Sequence, residues 1–253
     1  MPPVYDVIIP ARDEAATVGE VVRAARAAAG AGTVLVVDDG STDATAAAAR
    51  AAGAHVIAAR PPGEPGHKGR ALAAGVAAST AARLVFFDAD LLGAHPRHFE
   101  ALAAPLAEGR FALSCGLLDY GPLFNPAFLR LPPITGLRAL DRELFAGVDL
   151  AACRGFQIEI LINEVLVRRG LASTIRVLRG LSHRTKLAKL GWRRGLPAHL
   201  RMSRDLLACL KTVPLWTYPA YLRRLTLLRP AGAAPSRAAA EEPEWTCERM
   251  PDR

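Results

Sequence analysis

The chain has 253 residues, of which 51% are hydrophobic and 22% are charged, and its formal net charge is +8. This length and apolar content suit a folded α/β domain with a large core, and they exclude global disorder. The positive charge points to an anionic partner, which composition leaves open among nucleic acid, phosphorylated small molecules and an acidic membrane surface.

The beginning of the chain and its cysteines set the expected compartment. Residues 1–6 lack the basic flank and apolar region of a signal peptide, and no uncharged stretch reaches the roughly 20 apolar residues that a spanning helix needs. The four cysteines form no C-x-x-C pair, which suits a reducing environment. We therefore expect a cytoplasmic protein.

Strand and helix patterns alternate through the first half of the chain. Short β-branched runs predict strands at Val4–Ile9, Thr33–Val37, Ala54–Ala58 and Leu84–Phe87. The Ala-rich stretches between them predict crossover helices at Ala15–Ala29, Thr42–Ala52 and Lys68–Thr80. This alternation is typical of a doubly wound, mostly parallel sheet with helices on both faces.

The pattern changes after residue 110. It predicts a strand at Phe111–Cys115, a loop at Leu118–Pro133, helices at Ile134–Phe145 and Phe156–Arg169, and a strand at Thr174–Leu178. Residues 184–229 then hold eleven Lys and Arg against one acid, so the positive charge is concentrated there. We predict an α/β domain over residues 1–183, a basic amphipathic helical segment over 184–229 and a disordered tail over 230–253.

Carboxylates follow the first and second predicted strands. Asp13 and Glu14 come after the first, and Asp38 and Asp39 come directly after the second. Because parallel strands end at one edge of a sheet, these acids lie where open α/β folds bind ligands. Stabilisation of the next helix dipole explains Asp13 and Glu14 equally well. It does not explain two adjacent acids after a buried strand, which repel each other unless a ligand is bound.

Two further motifs indicate a bound diphosphate and its cation. Asp88-Ala89-Asp90 follows the fourth strand, and alternate residues of an extended segment point the same way. Two carboxylates on one face suit a hard divalent cation that also takes diphosphate oxygens as ligands. Gly66-His67-Lys68-Gly69 opens the third helix and offers backbone N–H groups and a cation to a phosphate.

Together these motifs resemble the nucleotide-sugar half of family-2 glycosyltransferases with the GT-A fold. Thr135-Gly136-Leu137-Arg138-Ala139 resembles the Ser-Gly-Phe-Arg-Ala motif of the dolichyl- or polyprenyl-phosphate sugar synthases. Gly155-Phe156-Gln157-Ile158-Glu159 resembles their Gly-Tyr-x-x-Glu helix start, and it is also similar to the glucosyl-3-phosphoglycerate synthases. The resemblance implies a GT-A-like sheet and places nucleotide-sugar binding and catalysis within residues 1–183.

The resemblance also implies the residues of the donor site. Pro10, Glu14 and Asp39 would hold the uridine or guanosine of a UDP- or GDP-linked sugar, with Lys68 near the base or the phosphates.

The implied cation is Mg²⁺ or Mn²⁺. Asp88 and Asp90 would meet this metal and the donor, and His183 falls where many such enzymes place a further metal or diphosphate ligand. We expect the cation to offset the charge that develops on the leaving nucleoside diphosphate.

For the acceptor side, Arg138 resembles the arginine that faces an acceptor phosphate. A phosphate oxygen is already ionised at neutral pH, whereas a hydroxyl acceptor needs a base. The chain lacks the Glu-Asp pair that many inverting members place after the D-x-D, which leaves Asp141 and Glu159 as candidate catalytic carboxylates. This departure favours polyprenyl phosphate or another membrane-associated phosphate as acceptor. The alternative is a small hydroxyl acceptor such as a phosphoglycerate.

The basic segment interleaves its cations with apolar residues that include Trp216, Tyr218 and Tyr221. This composition is typical of a helix lying in an anionic interface, so we expect the enzyme at the inner face of the membrane. A packed amphipathic helix with a solvated basic face explains the same pattern.

Other classes of protein fit the motifs less well. The acidic clusters would repel a nucleic-acid backbone. A nucleotidyltransferase remains an alternative, although no glycine-rich loop follows the first strand. The absence of G-x-G-x-x-G at that point excludes a Rossmann dehydrogenase.

Overall fold

The computed structural model describes residues 4–64, 66–129, 135–146, 148, 150–153, 157–183, 217–228 and 247–249. Its strands are β1 Tyr5–Ala11, β2 Ala31–Asp39, β3 His55–Arg60, β4 Arg83–Phe86, β5 Leu91–Leu92, β6 Leu113–Leu118, β7 Arg138–Asp141, β8 Ser173–Leu178, β9 Ser182–His183, β10 Leu225–Leu228 and β11 Cys247–Arg249. Its helices are α1 Val18–Ala27, α2 Thr45–Ala51, α3 Lys68–Ala78, α4 Pro96–Ala107, α5 Asn125–Phe128, α6 Gln157–Arg168 and α7 Thr217–Arg224.

Nine of these strands form one mixed sheet in the order β11-β10-β8-β6-β7-β4-β1-β2-β3. Strands β3, β2, β1 and β4 run parallel, as do β6, β8 and β10. Strand β7 lies between the two parallel groups and is antiparallel to both of its neighbours. The small antiparallel pair β5–β9 lies apart from this sheet. The predicted doubly wound, mostly parallel sheet is therefore confirmed.

Both faces of the sheet are covered by helices. Successive strand residues point to opposite faces, so Ile9 packs in one apolar cluster with α1 and α4, whereas Ile8 packs in another with α3 and α6. Ile8, Ile9 and Phe99 are fully buried, and each such side chain contributes roughly 1.5–3 kcal/mol through burial. This core fixes the strand ends on which the polar residues lie.

The helix predicted over residues 134–145 is wrong. Its described part contains strand β7 and a 3₁₀ helix over Arg142–Phe145. Strand β7 is covered on both faces, and Arg138, Ala139 and Leu140 are all buried. A short run that is buried on both sides lacks the alternation of a half-buried strand, so its periodicity does not distinguish it from a helix.

The C-terminal part of the chain departs from two expectations. Helix α7 and strand β10, predicted as part of a separate basic segment, pack on the main sheet, where β10 extends it beside β8. Tyr221, predicted at headgroup depth, is 1% exposed, with its hydroxyl 3.3 Å from Ser173 Oγ. Cys247–Arg249, predicted as disordered tail, forms the edge strand β11.

Most of the predicted basic segment, residues 184–216, lies outside the described residues, so the domain limits at 183 and 229 stay predictions. None of the helices in the described part of the chain has both the length and the hydrophobicity that crossing a membrane demands.

Candidate functional site

The turn after β1 carries the first predicted site residues. Asp13 adopts a left-handed backbone conformation with φ of 53°, which is uncommon outside glycine. Its carboxylate accepts a hydrogen bond of 2.8 Å from the Thr42 backbone N–H, and the Glu14 N–H donates to Thr45 Oγ1 at 2.7 Å. These bonds join the turn after β1 to the turn after β2. As a result, Pro10 and Glu14 are held at the carboxyl edge of the sheet, where they were predicted.

Asp39, the last residue of β2, is only 6% exposed. Its Oδ2 accepts a hydrogen bond of 2.5 Å from the His67 backbone N–H, and Arg60 Nε lies 3.8 Å from its Oδ1. The Gly66–Lys68 segment is therefore tied directly to the end of β2. These contacts place the predicted phosphate loop beside the predicted nucleoside contact.

Lys68 begins α3 and lies between two acids. Its Nζ is 2.9 Å from Glu159 Oε1 and 3.7 Å from Asp88 Oδ1. Burial alone would lower the pKa of Lys68, but the charges of Asp88 and Glu159 outweigh it and raise that pKa above its ordinary value. The amine therefore stays protonated at neutral pH. The sequence predicted Lys68 near the donor but not its pairing with Glu159.

A close backbone contact allows this pairing. A Cβ on Gly69 would collide with the carbonyl oxygens of Leu150 and Cys153. The glycine therefore lets the start of α3 pack directly against the backbone that leads towards α6. Helix α6 carries Glu159, which is 2% exposed.

Asp88 lies just beyond the end of β4 and packs against Gly136. A Cβ on Gly136 would lie 2.5–2.8 Å from the carboxylate atoms of Asp88, so only glycine fits without displacing them. Burial raises the pKa of Asp88, while the charge of Lys68 acts in the opposite direction.

Asp90 is brought to His183 by the small β5–β9 pair. Leu91, which follows Asp90, pairs with His183 in this ladder. His183 Nδ1 lies 3.6 Å from Asp90 Oδ1, and both side chains are partly exposed. Two residues separated by more than 90 positions thus form one carboxylate–imidazole pair.

Arg138 is buried rather than on a helix surface. It is 2% exposed, its Nε donates to the Thr135 carbonyl at 2.8 Å, and its Nη1 donates to Asn163 Oδ1 at 3.0 Å. Sequence analysis missed Asn163, although it lies four residues after Glu159, on the same face of a helix. The buried guanidinium holds this part of β7 against α6.

A small cavity lies beside Lys68, Asp88, Arg138 and Glu159. Its other lining residues are mostly apolar and are Pro10, Leu72, Phe86, Thr135, Gly136, Phe145, Leu150, Ile158 and Ile162. Glu159 Oε2 is buried and has no hydrogen-bond partner among the described residues. This oxygen is therefore available to accept a hydrogen bond from a bound molecule.

Asp141, predicted as a candidate catalytic carboxylate, does not join the site. Strand β7 runs antiparallel to β4, so Arg138 pairs with Phe86 at the carboxyl end of β4, whereas Asp141 pairs with Arg83 at its amino end. There Asp141 forms an ion pair with Arg83 at 3.4 Å. Because this segment was predicted as a helix, the sequence analysis did not indicate the strand direction that places Asp141 at the amino end of β4.

The residues at this edge of the sheet suit a divalent cation that would be coordinated partly by the protein and partly by a bound ligand. Among the described residues no group of three or more His, Cys, Asp and Glu side chains could hold a metal ion alone. Asp90 and His183 could together supply two ligands to Mn²⁺ or, through the carboxylate, one ligand to Mg²⁺. Such a pair leaves the remaining coordination positions to diphosphate oxygens and water.

The sequence model described as Glycosyl transferase family 2 matches residues 6–151. The chain is 33% identical over 244 residues to glucosyl-3-phosphoglycerate synthase of Mycolicibacterium paratuberculosis, covering 81% of this chain and 70% of that protein.

Two solved structures of the Mycobacterium tuberculosis glucosyl-3-phosphoglycerate synthase are similar to this chain. The complex with Mn²⁺, UDP-glucose and phosphoglyceric acid has a TM-score of 0.65 at 28% identity, covering 82% of this chain and 78% of that chain. The complex with Mg²⁺ and UDP has a TM-score of 0.68 at 25% identity, covering 98% of this chain and 88% of that chain.

Proposed function

Because the chain belongs to glycosyl transferase family 2 and has its GT-A fold, we propose that it transfers glucose from UDP-glucose to the hydroxyl of 3-phosphoglycerate or a similar phosphorylated hydroxy acid. The chain is a glycosyltransferase that uses a nucleotide-sugar donor, as predicted. The proposal adds the identity of the sugar, the nucleotide and the acceptor. The observation in the structure that supports a metal-dependent donor site is the approach of Asp90 to His183, and the named relatives support the identity of the sugar, the nucleotide and the acceptor.

The donor site is proposed to hold the uridine and the diphosphate in adjacent places. Pro10, Glu14 and Asp39 lie at the ends of β1 and β2 and would contact the uridine. Lys68 and the backbone N–H groups at the start of α3 would contact the diphosphate, because a helix N-terminus favours anions.

Asp90 and His183 would hold the cation and leave its other coordination positions to the diphosphate. When bound, Mn²⁺ or Mg²⁺ supplies charge neutralisation to the leaving UDP. Asp88 lies next to this pair and is held against Gly136, so its carboxylate has a fixed position facing the same ligand. Lys68 adds a second positive charge on the other side of Asp88.

The transfer breaks the bond between glucose C1 and the β-phosphate oxygen of UDP. It forms a bond between C1 and the acceptor oxygen and releases the hydroxyl proton. Glu159 is proposed to orient the glucose, because its buried Oε2 is free to accept a hydrogen bond from a sugar hydroxyl. The ion pair with Lys68 holds the other carboxylate oxygen in place.

Phosphoglycerate is preferred here over the polyprenyl phosphate that was predicted from sequence. The similar proteins named above are glucosyl-3-phosphoglycerate synthases, and one of their structures contains phosphoglyceric acid. Arg138, expected to face an acceptor phosphate, is buried and hydrogen-bonded to Asn163. Tyr221, expected at a membrane interface, lies in the core. The nucleotidyltransferase alternative is dropped because of the family to which the chain belongs.

The test is a product assay with UDP-glucose, Mn²⁺ and separate acceptors: 3-phosphoglycerate, glycerol 3-phosphate and a polyprenyl phosphate in detergent. Mass spectrometry should detect a glucosylated phosphoglycerate, and D90N should reduce its formation by at least about 100-fold, because charge stabilisation at the leaving group is lost. E20Q, which removes an exposed acid on α1, is the matched control and should keep wild-type activity. Glucosylation of the polyprenyl phosphate alone would replace the proposed acceptor.

A further inference from the structure

The β5–β9 pair that brings Asp90 to His183 is too short to hold these residues in place by itself. It joins two residues of each strand, and an isolated two-stranded ladder has little stability in water. The side chains of Asp90 and His183 are 36% and 48% exposed, so packing around them adds little restraint. The backbone of β9 is therefore positioned by contacts from elsewhere in the fold.

One such contact comes from the side chain of His98 on α4, which is fully buried. His98 Nε2 lies 3.0 Å from the carbonyl oxygen of Arg179, the first residue after β8. Residues 179–181 form the β8–β9 turn, which leads directly to His183. The contact therefore joins helix α4 to the turn that carries His183.

The hydrogen bonds of the His98 ring assign its proton to Nε2. His98 Nδ1 accepts a hydrogen bond of 3.2 Å from the His95 backbone N–H, so this nitrogen carries no proton. Burial lowers the pKa of His98 to about 4, which keeps the ring neutral at neutral pH. Nε2 is then the protonated nitrogen, and its N–H donates to the Arg179 carbonyl.

The β8–β9 turn also packs directly on the end of β5. A Cβ on Gly93, the residue after β5, would collide with the carbonyl oxygen of Gly180 in the turn. Leu181 is fully buried, in the same apolar cluster as Leu91 of β5. Because these segments are in close contact, a displacement of the turn would change the position of His183 relative to β5.

We propose that His98 is a positioning residue for the metal site, because its hydrogen bond to the β8–β9 turn holds His183 within reach of Asp90. The inference rests on the proposed function, which assigns Asp90 and His183 to the cation. His98 acts through the backbone and sets the distance between the two ligands. Groups that orient metal ligands strongly affect metal affinity, so loss of this bond weakens the metal-dependent part of nucleotide binding.

The test measures the dissociation constant of UDP by isothermal titration calorimetry, once with Mn²⁺ and once with EDTA. The ratio of the constant in EDTA to the constant in Mn²⁺ reports the contribution of the cation. D90N and H183N remove the proposed ligands and define the ratio of a disabled metal site. A variant that is less stable but still folded leaves this ratio unchanged, because a loss of active protein affects both measurements equally.

Two amide substitutions separate the two hydrogen bonds of His98. H98N keeps an acceptor near the position of Nδ1 but loses the donor at Nε2, and it should lower the ratio by about fivefold or more. H98Q places an amide N–H near the position of Nε2 and should keep the ratio within about twofold of the wild-type value. H55N replaces an exposed histidine of β3 and should leave the ratio unchanged.

An unchanged ratio in H98N would overturn the proposal, as would an equal loss in H98N and H98Q, since the donor at Nε2 would then be irrelevant. If H98N does not fold, H98L, which fills the same space without a donor, takes its place. A wild-type ratio of one would contradict the metal site and this inference with it. Wild-type protein that shows a high ratio but forms no glucosylated phosphoglycerate contradicts the proposed function alone.

Discussion

Replacing Lys68 with methionine removes the positive charge at the centre of the site while keeping an unbranched side chain. In the native protein Lys68 Nζ lies 2.9 Å from Glu159 and 3.7 Å from Asp88. In K68M these two acids face each other across the cavity without a cation between them. We expect a loss of both stability and activity, because Glu159 is 2% exposed and cannot turn to solvent without rearrangement.

The size of the stability loss follows from the burial of the partners. Removing one member of a buried ion pair costs roughly 3–5 kcal/mol. The Lys68 side chain is 30% exposed and that of Asp88 is 24% exposed, so water screens part of the effect and the low end, about 3 kcal/mol, applies. For a protein of this size, that corresponds to a fall of about 6–12 °C in Tm.

The stability defect of K68M should shrink as the pH falls. Burial already raises the pKa of Asp88, and the charge of Lys68 opposes this rise, so the substitution raises that pKa further. A carboxyl group with a raised pKa in the folded state binds more protons when folded than when unfolded. The folded state therefore gains stability as the pH falls, and it loses this contribution as the pH rises through the raised pKa.

Denaturant unfolding at pH 5 and pH 8 measures this difference. R110M is the matched control, because Arg110 and Glu108 form an exposed ion pair, and it should cost less than about 1 kcal/mol. K68M/E159Q should recover part of the loss, since it removes the buried negative charge along with its partner. If K68M is as stable as wild type at pH 8, or if its defect is the same at both pH values, the reasoning about this buried charge is wrong.

Three shorter predictions address other parts of the fold. G136A should lower kcat/KM by at least about tenfold, because its Cβ would lie about 2.5 Å from the carboxylate of Asp88; unchanged turnover would contradict this. D141N should leave kcat/KM within about twofold of the wild-type value, because Asp141 lies at the edge of the sheet opposite the candidate site. A large loss of kcat/KM would mean that Asp141 takes part in catalysis. Burial lowers the pKa of His98 to about 4, so the unfolded state binds a proton first as the pH falls below about 6.5, and the protein should lose up to about 3 kcal/mol of stability between pH 6.5 and 4. Chemical denaturation between pH 6.5 and 4 should show that the free energy of unfolding of H98Q depends less steeply on pH than that of the wild-type protein; an equally steep dependence would contradict this role of His98.

The first four strands of the sheet could be predicted because each has a clear local signal. Each pairs an apolar run with a polar turn, and the polar residues Asp39 and Asp88 fall at one edge by the geometry of parallel strands. Strand β7 could not be predicted in this way. Its place between β4 and β6 depends on pairing with residues far away in the sequence, and its three buried residues carry no strand period.

The residues proposed for donor binding were likewise visible as motifs, whereas the contacts between them were not. Asp90 and His183 belong to separate strand ends that meet only through the β5–β9 pair, so the sequence suggested each residue but not the contact. The pairing of Lys68 with Glu159 depends on the tight packing at Gly69, where the lack of a side chain lets two backbone segments come into contact. The sequence shows Gly69 only as part of the predicted phosphate-binding motif, and it does not show the backbone packing that this glycine permits.

Arg138 shows how a residue of a matched motif can also have a structural role in the fold. It resembles the arginine that faces an acceptor phosphate, whereas the prediction of a phosphate acceptor rested on the missing Glu-Asp pair. In the folded chain its guanidinium donates to Thr135 and Asn163, and both bonds are made by a side chain that is 2% exposed. Because β7 is antiparallel, these bonds fix the strand segment that begins beside Gly136 and Asp88. The arginine thus joins β7 to α6, a structural role that the motif alone did not indicate.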